Sequence, residues 1–122
     1  MHRIIIAGSK AFNDYDLFKK TVEEFVKDFD KEDVEIISDS VDGADALSEL
    51  WAKDNKYKFK KYIANFEDYG TAAEHRCHVD MVRYAAEEDG ALIAFWNGSS
   101  PGTKRIINTA MQHGIDLEVV RF

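Results

Sequence analysis

Cysteine is nearly absent. The 122-residue chain holds one, Cys77, so no internal disulfide can form and a reducing compartment is expected. Long apolar runs are absent too: none approaches the ~20 residues of a membrane helix, so no membrane partner is expected. The isoleucines Ile4 to Ile6 give way to Gly8-Ser9-Lys10, too soon for a signal peptide, and a cytoplasmic location follows as the expectation. Positive charge is in short supply. Sixteen Lys and Arg face 23 Asp and Glu, a net charge of −7, which makes the chain a poor candidate for gripping nucleic acid. The one dense basic stretch, Lys53 to Lys61, is expected largely on an edge strand, where lysines block strand-to-strand aggregation. No clustered Arg, Asn and Gln suggest a recognition helix. There is no linker, repeat or low-complexity tract. What remains is an ordinary globular composition, 45% hydrophobic and 32% charged, sized for one domain over residues 1–122.

The pattern alternates strand and helix. Arg3–Ala7 and Ala91–Trp96 are short apolar runs, as strands covered on both faces should be. Val34–Ile37, Phe59–Ile63 and Leu117–Val120 supply three more strands. Leu17, Phe18, Thr21, Val22, Phe25, Val26 and Phe29 recur at helical spacing behind a candidate cap at Asn13. Ala44, Leu47, Leu50 and Trp51 mark a second helix opened by Asp42-Gly43, with Asp42 as the candidate cap. Thr71 and Glu74 form a capping box that opens a third helix, to about Glu88. Ser100-Pro101 and Gly114 bracket a fourth.

Strands alternating with helices predict an α/β fold around a five-stranded parallel sheet with helices on both faces. Lys58, Lys60, Lys61, Glu118 and Arg121 place the third and fifth strands at the edges, which predicts the order 3-2-1-4-5. Ligands of such sheets bind outside the strand C-termini, here between strands one and four.

Three segments leave strand ends there. Asn97 to Lys104 is the richest: Gly98, Ser99, Ser100, Gly102 and Thr103 let backbone approach a ligand, and N–H groups opening a helix attract an anion. Lys104 and Arg105 add positive charge. Gly8, Ser9 and Lys10 face this segment across the crevice. Ser38 to Asp45 carries Gly43 and three aspartates, Asp39, Asp42 and Asp45, which would repel phosphate but could hold a ribose hydroxyl. No Walker motif and no GxGxxG is present.

His75 and His78 share a helical face, yet metal needs three or four converging ligands, so neither a metal nor a cofactor is expected. Both histidines are expected to be partly exposed and Cys77 a core thiol. Arg76, a cation near a helix N-terminus, is a candidate anion ligand. Among Phe12, Tyr15, Phe66, Tyr69 and Trp96, an aromatic facing a base would add stacking; each taken singly is a core candidate.

Taken together, the segments resemble the SLOG superfamily, in its YspA-like (cpYpsA-related) branch. The resemblance rests on Ile5-Ile6-Ala7-Gly8-Ser9-Lys10 with Phe12 and Asp14-Tyr15, on Gly43-Ala44-Asp45, on Tyr69-Gly70-Thr71-Ala72-Ala73, and on Ala91–Trp96 through Gly102-Thr103-Lys104. It implies a Rossmann-like fold that binds a nucleotide or nucleotide-derived small molecule. Distant relatives, the LOG phosphoribohydrolases, cleave the N-glycosidic bond of nucleoside monophosphates. This chain departs from the family pattern at Asp39-Ser40, where two glycines are usual, and at Cys77-His78, where Arg-Asn is usual. It also has Ile106 where the LOG motif has Glu. Two other readings stay open: a nucleotide N-glycosidase, for which Asp45 and Glu74 are the candidate carboxylates, and a non-catalytic interaction domain. Homo-oligomerisation is equally open.

Overall fold

The computed structural model describes residues 1–39 and 43–122. Five strands form one sheet: β1 (His2–Gly8), β2 (Val34–Ser38), β3 (Lys58–Lys61), β4 (Asp89–Trp96) and β5 (Asp116–Arg121). Their order is β3-β2-β1-β4-β5 and each pairing is parallel, the order expected from the charged edges. Burial explains it. Ile4 to Ile6 of β1 and Leu92 to Phe95 of β4 are shut off from water, so both strands need helices on each face.

The two faces sort by alternation along the strands. Ile4, Ile6, Ile36, Ile93 and Phe95 point toward α1 (Tyr15–Val26) and α2 (Ala44–Asp54), meeting Phe18, Val22, Val26 and Trp51. Ile5, Ile37, Leu92 and Ala94 point the other way, toward α4 (Ala73–Ala86) and α5 (Pro101–Gln112), meeting Met81, Val82, Ile106 and Ala110. Each large side chain buried this way contributes about 1.5–3 kcal/mol. Trp51 keeps its polar atom satisfied, because its Nε1 donates to Glu23 Oε2 at 3.1 Å.

Several local expectations need correction. The cap of α1 is Asp14, whose Oδ1 accepts from the Leu17 N–H at 3.0 Å, not Asn13. The helix stops at Val26, and Phe29 lies beyond it, stacked on His2. A 3-10 turn over Lys31–Asp33 then leads into β2. Thr71 caps nothing. It sits inside a 3-10 turn, Gly70–Ala72, that runs straight into α4 and hands over backbone hydrogen bonds, so no side-chain cap is needed. A short helix α3 (Phe66–Tyr69), capped by Asn65, comes before that turn. Asp42, expected to cap α2, lies outside the described residues with Ser40 and Val41; Gly43 occupies the position just before the helix. Ser100, Pro101 and Gly114 bracket α5 as expected, Gly114 with φ +68°. Among the described residues, no helix is long and apolar enough to cross a membrane.

Two glycines draw helix and loop against β1. A Cβ on Gly8 would stand 2.7 Å from the Phe95 carbonyl oxygen and 2.9 Å from Ala44 Cβ. Gly43, at φ +59°, has room for no Cβ either, since one would fall 2.5 Å from the Ser9 carbonyl oxygen. The start of α2 therefore rests directly on the loop leaving β1.

Candidate functional site

A cavity of about 540 Å³ opens at the C-terminal ends of β1 and β4, where the strand order reverses. Its floor is Gly8-Ser9, fixed by two contacts to the neighbouring strand. The Ser9 N–H donates to the Phe95 carbonyl at 2.9 Å, and the Asn97 N–H reaches Ser9 Oγ at 3.4 Å. Lys10 stands exposed at the rim.

One wall is the first turn of α5: Ser100, Pro101, Gly102 and Thr103, with Arg105 and Ile106 behind. The loop before it is less open to ligand than its sequence suggests. Asn97 Oδ1 accepts from the N–H groups of both Ser99 and Ser100, each at 2.9 Å. The Ser100 hydroxyl pairs with Thr103 Oγ1 at 3.2 Å and makes no cap hydrogen bond to the backbone. Pro101 has no N–H. Anion-seeking donors are thus narrowed to the Gly102 and Thr103 N–H groups, which have no intrahelical acceptor in a first turn.

The facing wall is acidic. Asp39 follows β2 and Asp45 lies in the first turn of α2; Glu74, in the first turn of α4, reaches the α5 wall, its Oε1 2.8 Å from where a Cβ on Gly102 would stand. Asp45 is 8% exposed, and its Oδ1 accepts from the Ser38 hydroxyl at 3.1 Å. His78 completes this wall; it is 6% exposed, with Nε2 at 3.8 Å from Asp39 Oδ2. Its Nδ1 is buried with no hydrogen-bond partner. Among the described residues, no three His, Cys, Asp or Glu side chains form a metal-sized cluster.

The fold therefore gathers Gly8, Ser9, Lys10, Asp45, Glu74, Ser100, Gly102 and Thr103 around one space. Five other candidates lie outside its lining. Gly43 backs the floor from behind. Gly98 packs on Arg121, whose guanidinium covers Trp96. Ser99 is tied into the Asn97 turn, and Lys104 projects into solvent. Arg76 lies 4.3 Å above the Tyr69 ring, exposed, because one residue of helix rotation separates it from the buried Cys77. Of the five aromatics only Phe66 lines the cavity; Phe12 is core, stacked on Phe95. Cys77 is the expected core thiol. Burial, aided by Asp39, Asp80 and other acids, pushes it up to about 12, so it offers no thiolate near neutral pH.

His78 overturns an expectation: it is buried, not partly exposed. Ala73, Cys77, His78, Met81, Val82 and Ala85 are the buried face of α4, a three-four spacing that already put position 78 on the inward stripe. Arg105 and Phe66, named from the sequence as an added positive charge and one of five candidate aromatics, both line the cavity.

A parallel sheet of this order, with a ligand-sized cavity at its switch point, defines a Rossmann-like α/β fold. Residues 2–69 match the model of the YspA, cpYpsA-related SLOG family, over half of the chain, and the chain belongs to that family. Among solved structures it is similar to DNA processing protein A (DprA) from Streptococcus pneumoniae, with a TM-score of 0.65 at 17% identity. The match covers 96% of this chain and 49% of that one, so the chain spans about half the length of the DprA structure. At that identity the likeness speaks for the fold alone. No curated protein sequence matches.

Proposed function

We propose that the chain binds a nucleotide or nucleotide-derived small molecule in the cavity between β1 and β4. One observation carries the reading: the uncapped first turn of α5 faces the Gly8-Ser9 floor across a space of about 540 Å³. A phosphate there would accept from the Gly102 and Thr103 N–H groups, with Lys10 and Arg105 neutralising it. Asp39 and Asp45 would accept hydrogen bonds from sugar hydroxyls, and Phe66 would lie against a base. The lone buried Cys77 supports a reducing, cytoplasmic setting. Thermal shift against a panel of nucleotides and sugar phosphates tests the reading. A ligand at about 100 times its Kd adds ~2.7 kcal/mol, a readily seen rise in Tm. A folded protein whose Tm ignores the whole panel at millimolar ligand rejects it.

The acidic wall keeps the N-glycosidase reading in view, since a carboxylate could stabilise a ribosyl cation or activate water. Ile106 argues against it: a buried aliphatic side chain lines the cavity where the LOG motif carries its Glu. Base release from nucleoside monophosphates is therefore expected far below ordinary turnover of about 1 per second. Faster release would reverse the choice and make Asp45→Asn and Glu74→Gln the first variants to test.

The DprA name raises DNA as a ligand, and the charge placement speaks against it here. Lys53 and Lys61 face Glu49, Lys58 donates to the Glu32 carbonyl, and Lys60 lies over Tyr84. The basic stretch is thus largely engaged within the molecule. Anisotropy titrations with single- and double-stranded DNA and RNA at near-physiological salt are expected to show only weak, salt-sensitive binding. Submicromolar, sequence-dependent binding would show the β3 edge to be a binding face.

A further inference from the structure

The least satisfied group in the cavity wall is His78. A neutral imidazole donates from one ring nitrogen and accepts at the other. Here Nδ1 has no partner, and Nε2 lies 3.8 Å from Asp39 Oδ2, beyond hydrogen-bond reach. The ring is nonetheless buried and faces the space where an anion would sit.

We propose that His78 makes anion binding in this cavity proton-linked: the ring takes up a proton as a doubly charged anion enters. This rests on the reading of the cavity as an anion site and adds its regulation. The charges around the ring give the reason. Asp39 approaches the ring from the end of β2, and Asp45 and Glu74 line the same cavity from α2 and from the ring's own helix. Lys10 lines it from the loop after β1 and Arg105 from α5. Its neighbour Cys77 stays a neutral thiol. Among the described residues two cations thus share the cavity lining with three carboxylates, and an entering dianion deepens the imbalance. A proton on His78 offsets part of it, and Asp39 is placed to accept from the imidazolium once it forms. The sign follows from linkage. An anion that raises the His78 midpoint binds more tightly as pH falls through the free ring's midpoint, and the gain vanishes well above it.

Sulfate is the suitable probe. It stays a dianion throughout the range, whereas a phosphate monoester gains a proton near pH 6 and would mask the effect. Sulfate affinity is measured from about pH 8 to about pH 5.5, above the range where ordinary carboxylates titrate. The Gly102 and Thr103 amide shifts locate the ion. The His78 ring is followed by NMR with and without sulfate. The expected result is roughly tenfold tighter binding at the acid end, with the His78 midpoint raised by about one pH unit and His2, His75 and His113 moved less. His78→Asn should flatten the pH profile. If that variant does not fold, the wild-type ring titration decides. Sulfate binding that ignores pH, or a His78 midpoint that ignores sulfate, overturns the inference and leaves the anion site standing. Absence of sulfate and phosphate binding at the Gly102-Thr103 amides at every pH overturns both.

Discussion

Gly8→Ala is expected to lower the melting temperature by on the order of 10 °C, with or without ligand. The residue pairs with Phe95 at the C-terminal end of the central β1–β4 ladder, and α2 begins directly above it. The new methyl would stand 2.7 Å from the Phe95 carbonyl oxygen, 2.9 Å from Ala44 Cβ and 3.1 Å from Phe95 Cβ. None of these can swing aside: two belong to a buried central strand and the third to the first residue of a helix. Either α2 lifts off the sheet or β4 is pushed from β1. Overpacking of this kind costs about 1–3 kcal/mol, and each kcal/mol is worth about 4 °C in a protein of this size. Thermal melts monitored by circular dichroism measure it. A variant melting within about 2 °C of the parent would mean that α2 approaches β1 less closely than described.

Gly102→Val is expected to do the opposite, sparing the fold and removing the ligand. Its Cβ would meet only Glu74 Oε1, at 2.8 Å, the free end of a side chain that can turn away. Valine is tolerated in a first helical turn, so the unliganded Tm should fall by only a few degrees. Its methyl groups, however, would occupy the space in front of the Gly102 and Thr103 N–H groups. Affinity for whichever nucleotide or sugar phosphate raises Tm most should drop at least tenfold, about 1.4 kcal/mol, by calorimetry. Unchanged affinity in the folded variant would reduce this loop to a turn.

The sheet was legible because its signals are one-dimensional. Three consecutive isoleucines in β1 and the lysines of β3 state directly which strand is central and which is at the edge. Helix ends were less so, since a cap depends on where the chain comes from. Thr71 has the right chemistry, but the preceding 3-10 turn had already satisfied the backbone it would have served. The site was legible in part. The small residues at strand ends identified the floor and the α5 wall. The loop's own use of Asn97 to occupy the Ser99 and Ser100 amides depends on a fold-back that residue type does not announce. Arg105 rather than Lys104 faces the cavity because α5 turns by about 100° per residue, a phase fixed only by which side packs on the sheet.

The cavity takes its walls from the chain just past the strand ends, while the two apolar clusters lie between helices and sheet. Among the described lining residues, Ala7 and Ile106 are buried members of one cluster and Ala64 packs against it. Mutations at its exposed wall positions, among them Lys10, Phe66 and Arg105, therefore have less leverage on folding than changes at Gly8 or at the buried Ser9, Asp45, His78 and Thr103. Selection can exchange a cation or an aromatic ring at such exposed positions and sample new ligands while the molecule still folds. A family built this way can diversify its chemistry faster than its architecture.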